Sequence, residues 1–274
     1  MIAIGSGGIK PCVSAHVGDQ FGRSNAALLP RIYNWFYLAI NTGSLFSMLI
    51  TPWLLKVHGP HVAFALPGIL MLIATLLFWM GRKEFAHIPP EPRQFLKELQ
   101  QPAFLRSLGG LAVIYVFVAM FWSLFDQTAS RWVTQAEKMA RHLFGFEVPP
   151  SQLQSIHPVL VVLLIPLFSL LIYPTLARLI PVTPLGKIAV GFFVAIPSFI
   201  IPAWIESQIT LGLTPSVWWQ ILAYVFITSA EILISITCLE FSYTQAPPRL
   251  KSFIMALYLC SVSLGNVFTA LVNA

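Results

Sequence analysis

Three ionisable side chains lie in segments that are otherwise apolar enough to cross a bilayer. They are Lys10 in GSGGIKPCVSAHVGD, Asp126 in MFWSLFDQTASRW and Glu231 in VFITSAEILISITCLEF. A charge in hydrocarbon costs several kcal/mol, so membrane proteins that keep such groups usually bind or move something with them. One ammonium and two carboxylates therefore indicate a binding site for a charged ligand or a path for protons.

The composition is that of an integral membrane protein. Apolar residues make up 57% of the 274 positions and charged residues only 9%, with a mean hydropathy of +0.78, whereas a soluble domain carries about a quarter charged residues. The net charge of +6 comes from Lys and Arg scattered singly between apolar runs, which argues against nucleic-acid binding. Cys12, Cys238 and Cys260 show no metal-ligand spacing, so we predict neither a disulfide nor a metal site.

Seven apolar runs are long enough to cross about 30 Å of hydrocarbon. We predict membrane spans at 33–55, 62–81, 108–132, 158–178, 187–206, 216–243 and 252–272. Residues 1–17 resemble the last part of one more span, and Met1 falls inside that pattern without the cationic region of a signal peptide. We therefore expect the chain to be truncated at its start.

The positions of Lys and Arg predict the orientation in the membrane. Eleven fall on the side of residue 18, and they are Arg23, Arg31, Arg82, Lys83, Arg93, Lys97, Arg106, Arg178, Lys187, Arg249 and Lys251. Four fall on the other side, namely Lys56, Arg131, Lys138 and Arg141. Because cytoplasmic loops carry the excess of Lys and Arg, we place residue 18 in the cytoplasm.

Two polar segments interrupt the spans. The first, 82–107, contains Pro89, Pro90, Pro92 and Pro102 and mixed charges, and it is typical of a cytoplasmic linker between two membrane bundles. The second, 133–157, lies outside, where we predict a helical extension to about His142 before Pro149 and Pro150. The predicted divisions are thus 1–82, 83–107 and 108–274.

Helix geometry places the ionisable side chains at different depths. With a rise of about 1.5 Å per residue, Lys10 and Asn41 lie about 12 Å from the cytoplasmic surface and Glu231 about 20 Å from the outer surface. All three fall near mid-depth, whereas Asp126, about 26 Å from the cytoplasmic side, lies toward the outer mouth. A cation on one side of a site and a carboxylate on the other suit a zwitterionic ligand. The cation would attract the ligand's carboxylate and the carboxylate its amine, and a low dielectric strengthens both contacts.

Spacing along the helices relates further side chains to these groups. Ser235 shares a helix face with Glu231, and Trp122 shares one with Asp126, because each pair is four residues apart. Glu240 is nine residues from Glu231 and points to the opposite side, so we interpret it as a gate or packing residue.

Each side chain also has a plainer interpretation. Lys10 could be a snorkelling or structurally paired lysine, and Asp126 could be a fixed partner of Arg131 or another cation rather than a proton carrier. Asn41 could simply form an interhelical hydrogen bond. His157 lies near a helix end, and we interpret it as a surface or cap residue.

Four motifs resemble the proton-dependent oligopeptide transporters, a branch of the major facilitator superfamily. They are GSGGIKPCVSAHVGDQF at 5–21, FYLAINTGSL at 36–45, FWSLFDQTASRW at 121–132 and LEFSYTQAP at 239–247. The resemblance covers essentially the whole chain in the family's order. It implies an all-α membrane protein with part of the major facilitator fold, running from the end of helix 4 through helix 11, without helices 1–3 and 12.

The resemblance also implies roles for single residues. Lys10 matches the lysine that holds a peptide's carboxylate and takes part in proton coupling, and Asn41 matches an asparagine that contacts the peptide backbone. Glu231 matches the acid that receives the peptide's amino terminus, with Ser235 one turn further. Trp122 matches a binding-site aromatic residue.

The remaining roles concern protons and gates. Asp126 matches the acid tied to protonation and outer gating, and we assign gate roles to Glu240 and Tyr258. Two positions depart from the family, because His157 stands where an asparagine is common and Tyr258 where a tryptophan is common. The E-x-x-E-R motif of helix 1, central to proton coupling, is absent along with that helix.

The sequence as a whole predicts a multi-pass protein of a plasma or bacterial inner membrane. We expect symport of di- and tripeptides with protons by alternating access, with short peptides, protons and the lipid bilayer as partners and a proton gradient in place of any cofactor. Two alternatives remain: the same fold carrying nitrate or another small solute, and a truncated inactive fragment. An enzyme is not favoured, because the spans contain no H-E-x-x-H or G-x-S-x-G motif.

Overall fold

A computed structural model describes residues 2–22, 24–86, 92–143, 145–178 and 181–273 of the chain. Arg23, Pro89 and Pro90, which entered the charge and linker predictions, lie outside these residues, as do the side chains of Pro92 and Arg93. Helices dominate the described part. Their bounds are α1 Ile2–Asp19, α2 Leu29–Met80, α3 Pro92–Leu99, α4 Pro102–Phe125, α5 Arg131–Ala136, α6 Ile156–Leu167, α7 Tyr173–Leu176, α8 Pro184–Ala195, α9 Pro197–Thr210, α10 Trp218–Glu231, α11 Thr237–Gln245 and α12 Lys251–Asn273.

The predicted membrane spans are confirmed as long apolar helices. Within the described residues, six helical runs are long and apolar enough to cross a membrane, and they are Ala26–Lys83, Pro102–Ala136, Gln152–Leu176, Pro184–Thr210, Trp218–Gln245 and Lys251–Asn273. The first run contains two of the predicted spans. The predicted division of the chain into two bundles and a linker stays a prediction.

The two spans within α2 are separated by a break at Gly59. Its backbone has φ 79° and ψ 176°, a region that only glycine occupies without strain. Pro60 follows immediately, and proline prevents the residue before it from continuing an α-helix. The sequence Gly-Pro therefore ends one span and starts the next without a loop.

Two helical runs contain a wider π-helical turn. Phe168–Ile172 joins α6 to α7, and Ile232–Ile236 joins α10 to α11. A π turn has more residues per turn than an α-helix, and such turns often lie at functional sites. The second one begins directly after Glu231, so it changes the direction in which the following side chains point.

The outer segment 133–157 differs from its prediction. The helix that we expected to reach about His142 ends at Ala136, and a short antiparallel hairpin follows, formed by β1 His142–Leu143 and β2 Phe146–Glu147. Gly145, with φ 86°, turns the chain. Ala140 also forms two backbone hydrogen bonds to the loop before α10. Its N–H donates to the carbonyl of Pro215 at 3.0 Å, and its carbonyl accepts from the N–H of Val217 at 3.0 Å. Those bonds use the groups that a continuing helix would need.

One helical run is far more enclosed than the others. In Trp218–Gln245, 72% of the most apolar window is buried, against 33% or less in the other five runs. Those runs expose large apolar side chains, such as Phe64, Leu170 and Phe193, as lipid-facing helices do. The run formed by α10 and α11 is therefore the central helix of the described structure, and it carries both Glu231 and Glu240.

Candidate functional site

Glu231 is an almost completely buried carboxylate at the end of α10, with 2% of its surface exposed. Tyr37 of α2 donates a hydrogen bond from its hydroxyl to Oε1 at 2.5 Å. Nε2 of His157, in the first turn of α6, lies 2.5 Å from Oε2. Three helices thus meet at one carboxylate. A carboxylate has about four acceptor positions, so these two contacts leave it able to accept from a ligand.

Tyr37 is itself held by its helix and its neighbours. Asn41, one turn further along α2, donates its amide to the carbonyl of Tyr37 at 3.0 Å and is 8% exposed. Asn41 thus lies one turn along α2 from the tyrosine that contacts Glu231, and its amide nitrogen bonds to its own helix. Its role in binding a peptide stays a prediction.

Three further predicted residues surround the same position. Ser235 is fully buried, and its hydroxyl has no hydrogen-bond partner. The indole N–H of Trp122 is buried and also lacks a partner. The hydroxyl of Tyr258, from α12, faces both side chains, although neither contact has hydrogen-bond geometry. The cluster therefore offers polar groups that a ligand could satisfy, since buried polar groups are nearly always paired.

Aromatic rings connect this cluster to the end of α4. Phe125 lies 5.0 Å from the ring of Trp122 and 5.0 Å from the ring of His157, in edge-to-face arrangements. Such contacts fix the ring orientations. The position of His157 next to Glu231 is therefore supported by packing as well as by the contact itself.

Lys10 stands apart from this cluster in the structure. Its side chain is exposed on α1, and among the described residues no carboxylate lies within 4.0 Å of its ammonium group. The helix itself packs against α12 and α2. The interpretation of Lys10 as a structurally paired lysine therefore has no support in the described part of the chain.

Asp126 begins a short 3-10 turn after α4 and is half-buried. Asn266 of α12 donates from its side-chain amide to Oδ2 of Asp126 at 2.7 Å, in the amide orientation that satisfies both the nitrogen and the oxygen of Asn266. Arg131, the partner considered from the sequence, instead donates to Asn273 at 3.2 Å. The Asp126–Arg131 pair is therefore wrong. A neutral amide faces this carboxylate, which leaves its charge uncompensated by any cation among the described residues.

Glu240 lies in α11, in the second half of the central helix. Its Oε2 is 4.0 Å from the ammonium group of Lys187, at the start of α8, and that ammonium lies 5.2 Å from the ring centre of Tyr173. Glu240 does not contact Glu231, as its spacing predicted. Its gate role stays a prediction.

A second polar cluster joins α1 to α11 and α12. Asp19 accepts a hydrogen bond from the hydroxyl of Tyr243 at 2.8 Å and one from the ammonium of Lys251 at 3.2 Å, and Lys251 also contacts the Tyr243 hydroxyl. The ring of Tyr243 lies against Gly18 so closely that an added Cβ would be 2.4 Å from it. We call Asp19, Tyr243 and Lys251 the α1–α12 latch.

Comparison with known proteins identifies the family of this chain. The sequence profile described as PTR2, the POT family, matches residues 1–105 and 95–274 of the chain. The chain belongs to the POT family. The predicted resemblance and the multi-pass membrane architecture are thereby confirmed.

Relatives and solved structures of POT proteins agree with this result. The chain is 37% identical over 250 residues to solute carrier family 15 member 2 of Rattus norvegicus and 33% identical over 259 residues to peptide transporter 3 of Caenorhabditis elegans. The alignments cover 76% and 79% of the chain but only 34% and 37% of those relatives, so the chain spans about a third of their length. The crystal structure of the POT family transporter PepTSo superposes with a TM-score of 0.74 at 34% identity, covering 99% of this chain and 68% of that one.

Some residues of these POT clusters were missed or misinterpreted from the sequence. His157, interpreted as a surface or cap residue, contacts Glu231, and that interpretation is wrong. Tyr37 was given no role, although it lies four residues before Asn41, where one helix face would bring both to the same site. Asp19 and Tyr243 lie inside the quoted motifs, and only Lys251 was considered, as a loop cation. Their positions in these motifs were thus the sequence feature that could have indicated the latch.

Proposed function

We propose that the protein to which this chain belongs transports di- and tripeptides together with protons across a membrane. The observation that carries the proposal is the buried Glu231 carboxylate, with unpaired polar groups of Ser235 and Trp122 beside it. Relatives at 31–37% identity bear the names of peptide transporters and solute carriers. A carboxylate fits the ammonium end of a peptide, whereas an inorganic anion gains nothing from it.

In this proposal the ligand lies between two charged groups. Glu231 accepts hydrogen bonds from the peptide's ammonium group, and Lys10, whose ammonium is exposed and unpaired in the described structure, binds the peptide's carboxylate. Asn41 and Trp122 contact the middle of the peptide. Hydrogen bonds to charged groups are worth about 1.5–3 kcal/mol each. Both charges of one ligand are needed, which restricts the site to short peptides.

Movement between two states then gives transport. The α1–α12 latch holds the ends of three helices together in the state described, and its separation would open a path on that side. Protonation of Asp126 removes a charge that no described cation compensates, and so favours the state in which that group is less accessible to water. If protons and peptide both favour the same change of state, each strengthens the effect of the other, because coupling between two ligands is reciprocal.

The test uses the complete gene product that contains this chain, reconstituted in liposomes with an inward proton gradient. We expect gradient-driven uptake of labelled dialanine. Glu231→Gln should weaken dialanine binding by about tenfold or more, because one charge-assisted hydrogen bond is lost. N-acetyl-dialanine, which has no ammonium group, should be affected much less. Glu137→Gln, an exposed carboxylate on the outer segment, is the matched control.

Asp126→Asn separates proton coupling from peptide binding in the same assay. We expect this variant to exchange dialanine across the membrane without accumulating it against a gradient. Absence of gradient-driven uptake by the unmodified protein would contradict the proposed transport. Equal effects of Glu231→Gln on dialanine and on its N-acetyl form would contradict the amine-binding role.

A further inference from the structure

Two positively charged side chains line one cavity on the predicted outer side of the structure. The cavity has a volume of about 530 Å³ and is bounded by α5, α9 and the end of α12. Arg131 is the first residue of α5, and Lys138 lies in the turn that continues from it. The two residues are two helical turns apart and so lie on one side of this segment. Ligand pockets ordinarily have volumes of about 300–1,000 Å³, so the cavity is large enough for a ligand.

Neither cation is neutralised within the described part of the chain. Arg131 donates from Nε to the side-chain oxygen of Asn273 at 3.2 Å, which orients the guanidinium group but supplies no negative charge. Lys138 forms no ion pair with a described carboxylate. Glu206, which lines the same cavity, accepts a hydrogen bond from Gln135 at 2.8 Å. Two cations against one carboxylate leave the cavity with an excess positive charge, which is complementary to an anionic ligand.

These cations lie on the side of the protein where Lys and Arg are few. Of the four predicted there, Arg141 pairs with Glu147 at 2.8 Å, whereas Arg131 and Lys138 line the cavity. Outer loops of membrane proteins are ordinarily poor in Lys and Arg. Membrane topology therefore does not account for two cations at this position, and an anion bound between them does.

The depth of the cavity in the membrane specifies the kind of anion. The helical run that includes α5, Pro102–Ala136, has 35 residues, whereas about 20 residues cross the hydrocarbon core. Its end at α5 thus reaches the layer of lipid headgroups. Trp204 of α9 is exposed and stacks on Trp219 with 4.9 Å between ring centres, and tryptophan is enriched in that layer. Phe199 and Val272 give the same cavity an apolar wall.

We propose that this cavity binds the headgroup of an anionic phospholipid from the adjacent leaflet. The guanidinium group of Arg131 donates to oxygens of the phosphodiester, a contact that suits the planar shape of arginine. Lys138 contacts the same phosphate as a second cation, and one acyl chain packs against Phe199 and Val272. A free phosphate ion would gain only the charge contacts and not the apolar one. The inference concerns a different cavity from the Glu231 site and does not depend on the proposed transport of peptides.

The first test compares two lipids with identical acyl chains, dioleoylphosphatidylglycerol and dioleoylphosphatidylcholine. Native mass spectrometry of the complete protein in detergent measures the affinity for each. We expect the anionic lipid to bind at least about fivefold more tightly, because one basic side chain near a lipid headgroup contributes roughly that factor. Equal affinities for the two lipids would overturn the inference.

Variants locate the binding in the cavity. Arg131→Gln combined with Lys138→Gln should reduce the preference for the anionic lipid to less than about twofold. Lys138→Gln alone should reduce it in part, and this change removes no ion pair among the described residues. Lys56→Gln, an exposed cation predicted on the same side but outside the cavity, should keep the full preference. A preference that survives the double change, or that Lys56→Gln also abolishes, would overturn the inference.

Thermal unfolding distinguishes a lipid from a soluble anion. A ligand that binds only the folded protein raises its melting temperature. Dioleoylphosphatidylglycerol should therefore raise the melting temperature of the unmodified protein more than inorganic phosphate at the same concentration does, and the double variant should lose this difference. An equal rise with inorganic phosphate would show that the cavity takes a free anion, and it would overturn the assignment to a lipid.

Discussion

At the residue scale, the chemistry of the site depends on how Glu231 is satisfied. A carboxylate with 2% exposure is stable only because Tyr37 and His157 each bond to one of its oxygens. Removal of a donor from a buried acceptor costs about 1–3 kcal/mol, and more when the acceptor is charged. The two donors come from different helices, so the carboxylate also joins those helices to the central one.

Tyr37→Phe tests this dependence. We expect the variant to lower the melting temperature of the purified protein, because Glu231 Oε1 loses its donor. In a Glu231→Gln background the same change should have a smaller effect, with a coupling of about 0.5–3 kcal/mol between the two positions. Thermal unfolding of the two single variants and the double variant measures it.

Tyr33→Phe is the matched control for this cycle. Tyr33 lies one turn before Tyr37 on α2, and its hydroxyl donates to the backbone carbonyl of Ser14 at 3.0 Å. Its effect should therefore be the same with and without Glu231→Gln. Equal behaviour of Tyr37→Phe and Tyr33→Phe in the two backgrounds would show that the Tyr37 hydroxyl does not act through Glu231.

At the element scale, the α1–α12 latch determines how closely the helix ends approach. Tyr243 lies directly against Gly18, where any larger residue would collide with its ring. Asp19 and Lys251 form an ion pair beside that contact. A glycine at this position allows the ring of Tyr243 to approach α1 closely. The ion pair between Asp19 and Lys251 also holds α1 to α12.

Gly18→Ala should separate α1 from α11. The added Cβ would lie 2.4 Å from the Tyr243 ring, so the ring must move and its hydrogen bond to Asp19 must break. With Cys12, Cys238 and Cys260 replaced by alanine, spin labels at Ser24→Cys and Gln245→Cys should then show a larger population of long distances in double electron–electron resonance.

Gly22→Ala is the control, because nothing lies within 4 Å of a Cβ at that position. Its distance distribution should match that of the unmodified protein. A Gly18→Ala distribution indistinguishable from that of Gly22→Ala would mean that the Tyr243 contact does not hold the helix ends together.

At the scale of the whole molecule, charge and hydropathy determine how the chain lies in a bilayer. Five of the six long apolar runs in the described residues have a third or less of their most apolar window buried, as expected of lipid-facing helices. The excess of Lys and Arg on one set of loops predicts that this set is cytoplasmic. The same orientation would place the latch at the cytoplasmic side and the β1–β2 hairpin outside.

Cysteine labelling in intact cells tests this orientation. In a background with Cys12, Cys238 and Cys260 replaced by alanine, a membrane-impermeant maleimide added outside should label Lys138→Cys and spare Arg178→Cys. Both side chains are exposed, so accessibility to solvent is matched. After permeabilisation both should be labelled. The reverse pattern in intact cells would invert the predicted topology.

Much of this fold follows from the sequence by itself. The helical runs at 102–136, 184–210 and 251–273 match apolar segments in the sequence, because crossing hydrocarbon requires a minimum apolar length and internally satisfied backbone groups within each segment. The break at Gly59 falls between two predicted spans for an equally local reason. Asn41 lies in the quoted motif at 36–45, the family resemblance also matched Glu231 and Ser235, and all three side chains are buried.

The outer hairpin was beyond local prediction. Residues 137–142 have no strong preference against a helix, and their conformation depends on the backbone bonds of Ala140 to the distant loop at 215–217. Such bonds exist only after the helices on both sides have packed.

The partners of Glu231 were decided by tertiary structure alone. Tyr37 is 194 positions away in sequence and His157 is 74 positions away, and their contact depends on the tilt and rotation of three packed helices. The π turn after Glu231 also shifts the helical phase. The sequence thus determined which segments are apolar enough to enter the membrane and that one of them carries a carboxylate, because both are properties of single segments. Only the packed structure brought His157 to that carboxylate, since contact between helices depends on how they are turned toward one another.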